Sequence, residues 1–488
     1  MKKIIISTIA VSALFFTTSC ETDFDTDVKD IVVTKGEADF SKYVALGNSL
    51  TSGYRDGALY SGGQAESFPS MMAGQMKLAG GGEFKQPMMP NNVGGFNNAI
   101  FIDPITNKPL FPGKLELKMV NGALSPVPNA PAAALDNVAT GGPYQNMGVP
   151  GAKVAHLLFP GYGNPTNLAL GAANPYFVRF ASSPATSSVV SDALAQNPTF
   201  VSLWIGNNDV LGYATSGGDG TNPITPVDGA VGVGFNNTYT ALINTVFPTG
   251  TTRKGVIANI PNVTSVPFFT RVPSMPLTNL TDTQVSQLNT AYATYNAGLG
   301  QAKSLGAIND AEYQKRLIKF TAGAVANGAV ISDKDLTTVP GLPKYRQTTA
   351  KDYILLTASA VLTPQAGGGT SVPLEDKLVL TEAETAKVLT ATASYNTTIK
   401  ALAESKGLAF VDANAKMTEL NSKSGISWNG VRYTATFVTG GTFSLDGVHL
   451  TGRGYAVVAN EFIKAINMKY KSTLPQVDPN KYSGITFP

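Results

Sequence analysis

The sequence predicts an α/β fold in which a parallel sheet alternates with helices and carries large insertions. Short apolar runs, several of them stopped by glycine or proline, are typical of strands that are buried on both faces. Longer stretches with apolar residues at helical spacing lie between these runs, and this alternation favours a parallel sheet covered by helices. The composition is globular, since 43% of the 488 residues are hydrophobic and 14% are charged.

The predicted strands are mostly apolar runs of four to six residues. They span residues 43–46, 200–205, 256–260 and 408–411. The first is followed by Gly47, the second by Gly206 and the third by Pro261, and glycine and proline commonly interrupt strands. Because polar residues do not alternate with the apolar ones, we expect these strands to lie inside the sheet.

The predicted helices are marked by their starting residues and by apolar stripes. They begin at Ser67, Thr281, Thr381 and Thr451. Gln284 and Glu384 stand three residues after two of these threonines, which is the spacing of a capping box. One stripe after Thr281 predicts a single amphipathic helix; its members are Val285, Leu288, Tyr292, Tyr295 and Leu299. The pair Asn429-Gly430 between apolar residues predicts a hairpin.

Two long segments do not follow the strand and helix pattern. The chain contains 49 glycines and 30 prolines, and many of them lie in the segment from about 80 to 145. The pattern also weakens within the segment from about 265 to 395. We expect both segments to be insertions made of hairpins and loops.

The N-terminus predicts an exported, lipid-anchored protein. Residues 1–19 combine Lys2 and Lys3 with an apolar run that is too short to span a bilayer, which is typical of a signal peptide. Cys20 is the one cysteine of the chain and follows a small residue, as in a bacterial lipobox, although Thr17 stands where a larger aliphatic residue is usual. The alternative is an ordinary signal peptide with a chance cysteine.

The lipobox interpretation divides the whole chain into consecutive parts. Cys20 is predicted to be lipidated, residues 20–40 to form a flexible tether, and residues 41–488 to form the folded domain. This interpretation predicts a lipoprotein of the outer membrane and leaves open whether it faces the periplasm or the cell surface. An acidic stretch, with Asp23, Asp25 and Asp27, resembles surface-export signals but does not decide between them.

Charge and ligand chemistry exclude some classes of function. The formal net charge is only +3, and two of the positive residues lie in the predicted signal peptide, so no nucleic-acid partner is expected. Two histidines far apart and one cysteine do not gather the ligands of a zinc site, and we expect neither a metal nor an organic cofactor.

The two histidines differ in their surroundings. Asp446 stands three residues before His449, and on a turn this spacing lets the carboxylate reach Nδ1 of the imidazole and fix its tautomer. His156 lies in an apolar stretch with no acid beside it, so we interpret it as structural. His449 is therefore the candidate general base.

Candidate nucleophile and oxyanion donors follow predicted strands, where α/β folds place reactive groups. Ser49 follows the first strand, but Thr51 breaks the Gly-x-Ser-x-Gly pattern of a nucleophile elbow. The run Gly206-Asn207-Asn208-Asp209 offers amide side chains after the second strand. The run from 146 to 152 offers glycines whose N–H groups can approach a ligand closely.

Taken in order, these pieces resemble four sequence blocks of the SGNH/GDSL hydrolase superfamily. The resemblance covers about residues 41–265 and 395–470 and implies a three-layer α/β/α, flavodoxin-like core. It implies that Ser49 is the nucleophile, that Asp446 and His449 complete a triad, and that the Ser49 N–H, Gly151 and Asn208 form the oxyanion hole. Asn48 replaces the aspartate of the GDSL name, and Leu450 stands where many members have proline.

The resemblance implies a serine esterase that hydrolyses carboxylic esters through an acyl-enzyme. The substrate stays open between acyl lipids, with an apolar acyl site formed by the Met- and Phe-rich region and the long insertion, and acetylated glycans. The alternative from another class is an inactive surface lipoprotein that binds lipid or glycan on the same scaffold. The oligomeric state also stays open.

Overall fold

The computed structural model describes residues 32–120, 122–363 and 365–488. The predicted signal peptide and Cys20 lie outside the described residues. Within those residues, no helix has the length and apolar character needed to cross a bilayer.

The centre of the molecule is a parallel sheet of five strands in the order β11-β6-β5-β1-β4. These strands are β1 (Tyr43–Gly47), β4 (Asn146–Gly148), β5 (Phe200–Trp204), β6 (Lys254–Ala258) and β11 (Ala409–Val411). Every residue of β1 and β5 is buried, as expected for strands that are almost entirely apolar. The α/β fold with a parallel sheet is therefore confirmed.

Four two-stranded antiparallel sheets lie outside this centre. Their strands are β2 (Leu115–Val120), β3 (Ala123–Pro128), β7 (Val330–Ser332), β8 (Tyr345–Gln347), β9 (Tyr353–Ile354), β10 (Val379–Leu380), β12 (Ile426–Trp428) and β13 (Val431–Tyr433). The pair β12–β13 is the hairpin predicted from Asn429-Gly430, and Asn429 adopts the positive φ of 45° that such a turn needs.

Fifteen α-helices are present in the described residues. The shorter ones are α1 (Ser49–Ser52), α2 (Ser61–Ala65), α4 (Val154–Leu158), α5 (Pro175–Val178), α6 (Val189–Leu194), α7 (Asn208–Thr215), α9 (Pro267–Thr270), α12 (Asp310–Arg316) and α14 (Ala413–Leu420). The longer ones are α3 (Phe68–Leu78), α8 (Phe235–Val246), α10 (Asp282–Ala291), α11 (Ala293–Ser304), α13 (Glu382–Ser405) and α15 (Gly452–Tyr470).

The helices cover the sheet in two groups. Helices α3 and α15 contact each other, and α15 also contacts β6 and β11. Side chains of β5 pack on this group, since the Trp204 ring meets the rings of Phe68 and Phe462. Helices α4, α6, α8 and α13 form the second group, in which α13 contacts β6 and β11 and α6 contacts β1.

The predicted helix starts are confirmed where a side chain caps the helix. Thr281 and Thr381 each form a capping box, with Gln284 and Glu384 respectively, and Thr451 caps α15. The single helix predicted after Thr281 is wrong, because the chain interrupts the helix at Tyr292 and continues as α11. Strand β4 was also not expected, since three residues ending in glycine carry no strand pattern.

The folded domain begins earlier than residue 41. The Thr34 N–H donates to Oγ1 of Thr473, the Glu37 N–H donates to the Tyr470 carbonyl, and Phe40 is buried against Phe200. The tether predicted to reach residue 40 is therefore too long, because Ala38 and Phe40 supply apolar surface that packs on the domain.

The insertions carry apolar clusters of their own. In the first, Phe96 and Phe101 pack together and against Tyr176, which lies outside the insertion. In the second, Tyr295, Leu299 and Ile318 belong to one cluster, and Ile331 and Ile354 belong to another. Both segments are thus folded elements rather than bare loops.

Candidate active site

Ser49 lies at the carboxyl end of β1, as the first residue of the short helix α1. Oδ1 of Asn48 accepts a hydrogen bond from the Leu50 N–H at 3.1 Å and caps this helix. Gly148 lies directly behind, and a Cβ there would fall 2.4 Å from the Ser52 nitrogen. Only glycine lets β4 approach α1 this closely, and the approach fixes the position of Ser49.

Three side chains from opposite ends of the sequence form one hydrogen-bonded line. Oγ of Ser49 lies 2.9 Å from Nε2 of His449, and Nδ1 of His449 lies 2.9 Å from Oδ2 of Asp446. With the Nδ1 proton directed to the carboxylate, Nε2 is free to accept the serine proton. This is the geometry of a nucleophile, a general base and an orienting acid.

Asp446 is held as a carboxylate. Besides His449 Nδ1, it accepts hydrogen bonds from the backbone N–H groups of Gly57 at 2.9 Å, Val448 at 2.9 Å and His449 at 2.8 Å. Burial by itself raises the pKa of Asp446, but His449 and these N–H donors outweigh burial, and the pKa lies below its ordinary value. The acid therefore stays ionised across the neutral range.

The loop that carries Asp446 and His449 is a tight turn supported by the second insertion. Gly447 has φ of +71°, a conformation that favours glycine, and its carbonyl accepts the Phe268 N–H at 2.9 Å. A Cβ at Gly447 would lie 3.0 Å from the Phe268 nitrogen. Residues after β6 thus help to hold the turn with Asp446 and His449 in place.

The predicted oxyanion donors Gly151 and Asn208 lie in neighbouring segments, and Asn208 shares a cavity wall with Ser49. Gly151, with φ of +79°, sits in an exposed turn, and Nδ2 of Asn208 donates to the carbonyl of the next residue, Ala152, at 2.9 Å. An amide nitrogen carries two protons, so Asn208 keeps one for a ligand. Within the described residues the N–H groups of Ser49 and Gly151 make no hydrogen bond. These donors suit a developing oxyanion.

Sequence reasoning missed the residues that hold the triad. The Tyr54 ring lies 4.7 Å from the His449 ring, and the backbone N–H of Tyr54 donates to the Ser49 carbonyl at 3.0 Å. Asp56 accepts hydrogen bonds from the Leu445 N–H at 3.1 Å and from the Tyr60 hydroxyl at 2.7 Å. They follow Ser49 within one short segment, but no spacing rule marks them.

His156 lies apart from this line. Its Nδ1 accepts the Lys153 N–H at 3.1 Å, and its ring lies 4.7 Å from that of Tyr162. Burial, with a smaller contribution from Lys153, lowers the pKa of His156 to about 4. A neutral, packed imidazole at the start of α4 is consistent with a structural role.

An apolar cavity opens beside the triad. Ser49, His449 and Asn208 lie in its wall, together with Asn48 and Asn207. Nδ2 of Asn48 and Oδ1 of Asn207 are buried and have no hydrogen-bond partner within the described residues. In that same part of the chain no group of three or more His, Cys, Asp or Glu residues is placed to hold a metal ion.

The methionines that follow Ser67 in helix α3 do not line this cavity. Met71, Met72 and Met76 are buried in the main core, against the sheet. Of the second insertion, only Val266 at its edge lines the cavity. The methionines fill core space, which is the commoner role of that residue type.

Asp209, next to Asn208, predicts a pH-dependent stability. Burial raises the pKa of Asp209 to about 6, against hydrogen bonds from Thr225 and the Val154 N–H. A carboxyl group whose pKa is higher in the folded chain than in the unfolded chain stabilises the fold at low pH. This stabilisation is complete below the unfolded pKa of about 3.9, and it is lost as the pH rises through the folded pKa of about 6. Relative to Asp209→Asn, the wild-type free energy of unfolding is expected to fall by about 2 kcal/mol between pH 4 and 7.

Urea denaturation of both proteins at pH 4, 5.5 and 7 measures this difference. A difference that stays constant across these pH values would show that folding does not shift the Asp209 pKa.

Comparison of the chain with protein-family models, with curated proteins and with solved structures found no match.

Proposed function

We propose that this protein is a carboxylic ester hydrolase of the SGNH type that works through an acyl-enzyme on Ser49. The observation that carries the proposal is the hydrogen-bonded line from Ser49 through His449 to Asp446, with both links at 2.9 Å. The amide donors beside Ser49 add to it, because a triad without an oxyanion hole is a poor catalyst.

In the first half-reaction, Oγ of Ser49 attacks the ester carbonyl carbon while Nε2 of His449 takes the serine proton. The carbonyl oxygen becomes negatively charged and is stabilised by the Ser49 N–H, the Gly151 N–H and the free amide proton of Asn208. Collapse of this intermediate breaks the bond to the alcohol, which leaves with the proton held by His449.

In the second half-reaction, water takes the place of the alcohol. His449 removes a proton from the water as its oxygen attacks the acyl carbon, and the same donors hold the oxyanion. Collapse then releases the carboxylic acid and returns the proton to Oγ of Ser49. Asp446 remains a carboxylate throughout and stabilises the imidazolium of His449 in both halves.

The SGNH proposal adds a family assignment to the observed α/β fold with its parallel sheet. Nucleophile, glycine donor and asparagine donor follow three adjacent strands, β1, β4 and β5, and the acid and base precede the last helix. We interpret the two groups of helices as the outer layers of a three-layer, flavodoxin-like core. The lipid anchor at Cys20 and the outer-membrane location remain part of the proposal and rest on the sequence alone.

The competing proposal is an inactive lipoprotein that binds lipid or glycan on this scaffold. Labelling with a biotinylated fluorophosphonate separates the two, because the probe needs an activated serine. Attack by Oγ forms an oxygen–phosphorus bond, fluoride leaves, and His449 takes the proton. We expect one label for each native chain, located on Ser49 by mass spectrometry, and none on heat-denatured protein.

A native, folded chain that acquires no label at Ser49 would favour the binding protein. Labelling of several serines at equal rates in native and denatured protein would also favour the binding protein.

A further inference from the structure

The cavity beside the triad is bounded by one stripe from each of two helices. Helix α14 contributes Ala413, Lys416, Met417 and Leu420, and helix α15 contributes Gly454, Val457, Val458, Glu461 and Phe462. Both sets follow the spacing of a single helix face. Such stripes normally pack against each other, because protein interiors are nearly as dense as organic crystals. Here they leave a cavity of about 110 Å³.

The remaining walls are also apolar and connect the cavity to Ser49. The ends of three central strands contribute Trp204, Pro261 and Val411, and the catalytic turn contributes Phe443, Val448 and Leu450. Trp204 is 4% exposed, and its Nε1 already donates to the Asn259 carbonyl at 3.0 Å. Apart from the unpaired amide atoms of Asn48 and Asn207, the walls therefore offer sugar hydroxyls few hydrogen-bond partners, and burying unpaired hydroxyls is costly.

Part of the cavity wall, on helices α14 and α15, is charged. Nζ of Lys416 lies 3.4 Å from Glu461 and 2.6 Å from Glu419, and all three side chains reach solvent. Gly454 and Glu461 are seven residues apart on α15, which corresponds to about 10 Å along a helix axis. An apolar chain that grew past this point would meet charged groups.

We propose that this cavity is the acyl-binding site of the esterase and that it selects linear acyl chains of about four to six carbons. The volume supports this range, since a cavity of about 150 Å³ in another protein holds the six carbons of benzene. This inference rests on the proposed function for its catalytic part. It favours short and medium acyl esters over both acetylated glycans and long-chain lipids.

Chain-length profiles with p-nitrophenyl esters test the selection. Each methylene buried in the cavity is worth about fourfold in kcat/KM at most, so butyrate should exceed acetate by about tenfold, and decanoate should fall below hexanoate. Met417→Trp fills the cavity and should move the optimum to shorter chains, whereas Met417→Ala should move it to longer ones.

Met468→Trp is the matched control. Met468 lies on α15 but is 84% exposed and is not part of the cavity wall, whereas Met417 is 7% exposed. The control should keep the wild-type profile. Equal profiles for wild type, both Met417 variants and the control would overturn the acyl site while leaving the esterase proposal intact.

A binding measurement that needs no turnover keeps the two proposals separable. In a full-length Ser49→Ala, Trp428→Phe protein, Trp204 is the one remaining tryptophan, and 6-bromohexanoate in the cavity should quench its fluorescence. We expect saturable quenching that hexanoate relieves and that 12-bromododecanoate does not reproduce. Quenching that is not saturable, or that hexanoate does not relieve, would overturn the site even if esters are hydrolysed.

Discussion

Ser49→Ala is expected to lower kcat/KM on every hydrolysed ester by a factor of about 10⁴ or more, because no other group can form the acyl-enzyme. The fold should be unaffected, since the lost hydroxyl lies 2.9 Å from Nε2 of His449 and makes no other hydrogen bond within the described residues. Initial rates with p-nitrophenyl butyrate and urea denaturation of the same preparations measure both quantities.

Ser202→Ala is the control that separates stability from catalysis. Ser202 is buried in β5, and its hydroxyl lies 2.8 Å from that of Tyr43, away from the cavity. Its loss leaves the buried Tyr43 hydroxyl without this partner and should cost about 1–3 kcal/mol of stability, with turnover retained. A Ser49→Ala protein that hydrolyses esters as fast as Ser202→Ala would contradict the assignment of the nucleophile.

The contact between Asp446 and His449 could be predicted because it depends on local geometry. Three residues on one turn bring a carboxylate to an imidazole whatever the rest of the chain does. Helix starts at Thr281, Thr381 and Thr451 were predictable for the same reason, since a capping side chain bonds within three residues. Four apolar strands could also be found, because a strand buried on both faces shows an unbroken apolar run.

The hydrogen bond between Ser49 and His449 could not be derived from the residues between them. The two side chains are 400 positions apart, and only the sheet order and the last helix bring them together. The resemblance to a family supplied this expectation, and physical reasoning on the sequence did not. Strand β4 shows the same limit, because its three residues are held by pairing with β1 and not by their own preference.

The cavity was the least predictable feature. Its walls come from strand ends, from the catalytic turn and from the stripes on α14 and α15. Each stripe by itself predicts only an amphipathic helix packed on a core. Whether two such stripes meet or leave a gap depends on the relative placement of the helices, and sequence periodicity carries no information about that distance.

The second large effect is expected for Asp446→Asn, which should lower kcat by about 10⁴ with little change in KM. An asparagine whose carbonyl keeps the bonds from Val448 and His449 N–H groups must turn its NH₂ toward Nδ1 of His449. That arrangement places the imidazole proton on Nε2, facing Ser49, where the base is needed. Steady-state kinetics from pH 6 to 10 measure the loss.

The pH profile distinguishes this tautomer effect from a general disturbance of the turn. Without a competent base, hydroxide must remove the serine proton, so the rate of the variant should rise with pH beyond the point where the wild type reaches its plateau. Asp103→Asn, in an exposed turn where one carboxylate oxygen accepts two N–H groups, should behave as wild type. An Asp446→Asn enzyme within tenfold of wild type at pH 7 would mean that His449 is oriented by Tyr54 and the backbone alone, and Asp446 would then be a residue that stabilises the turn.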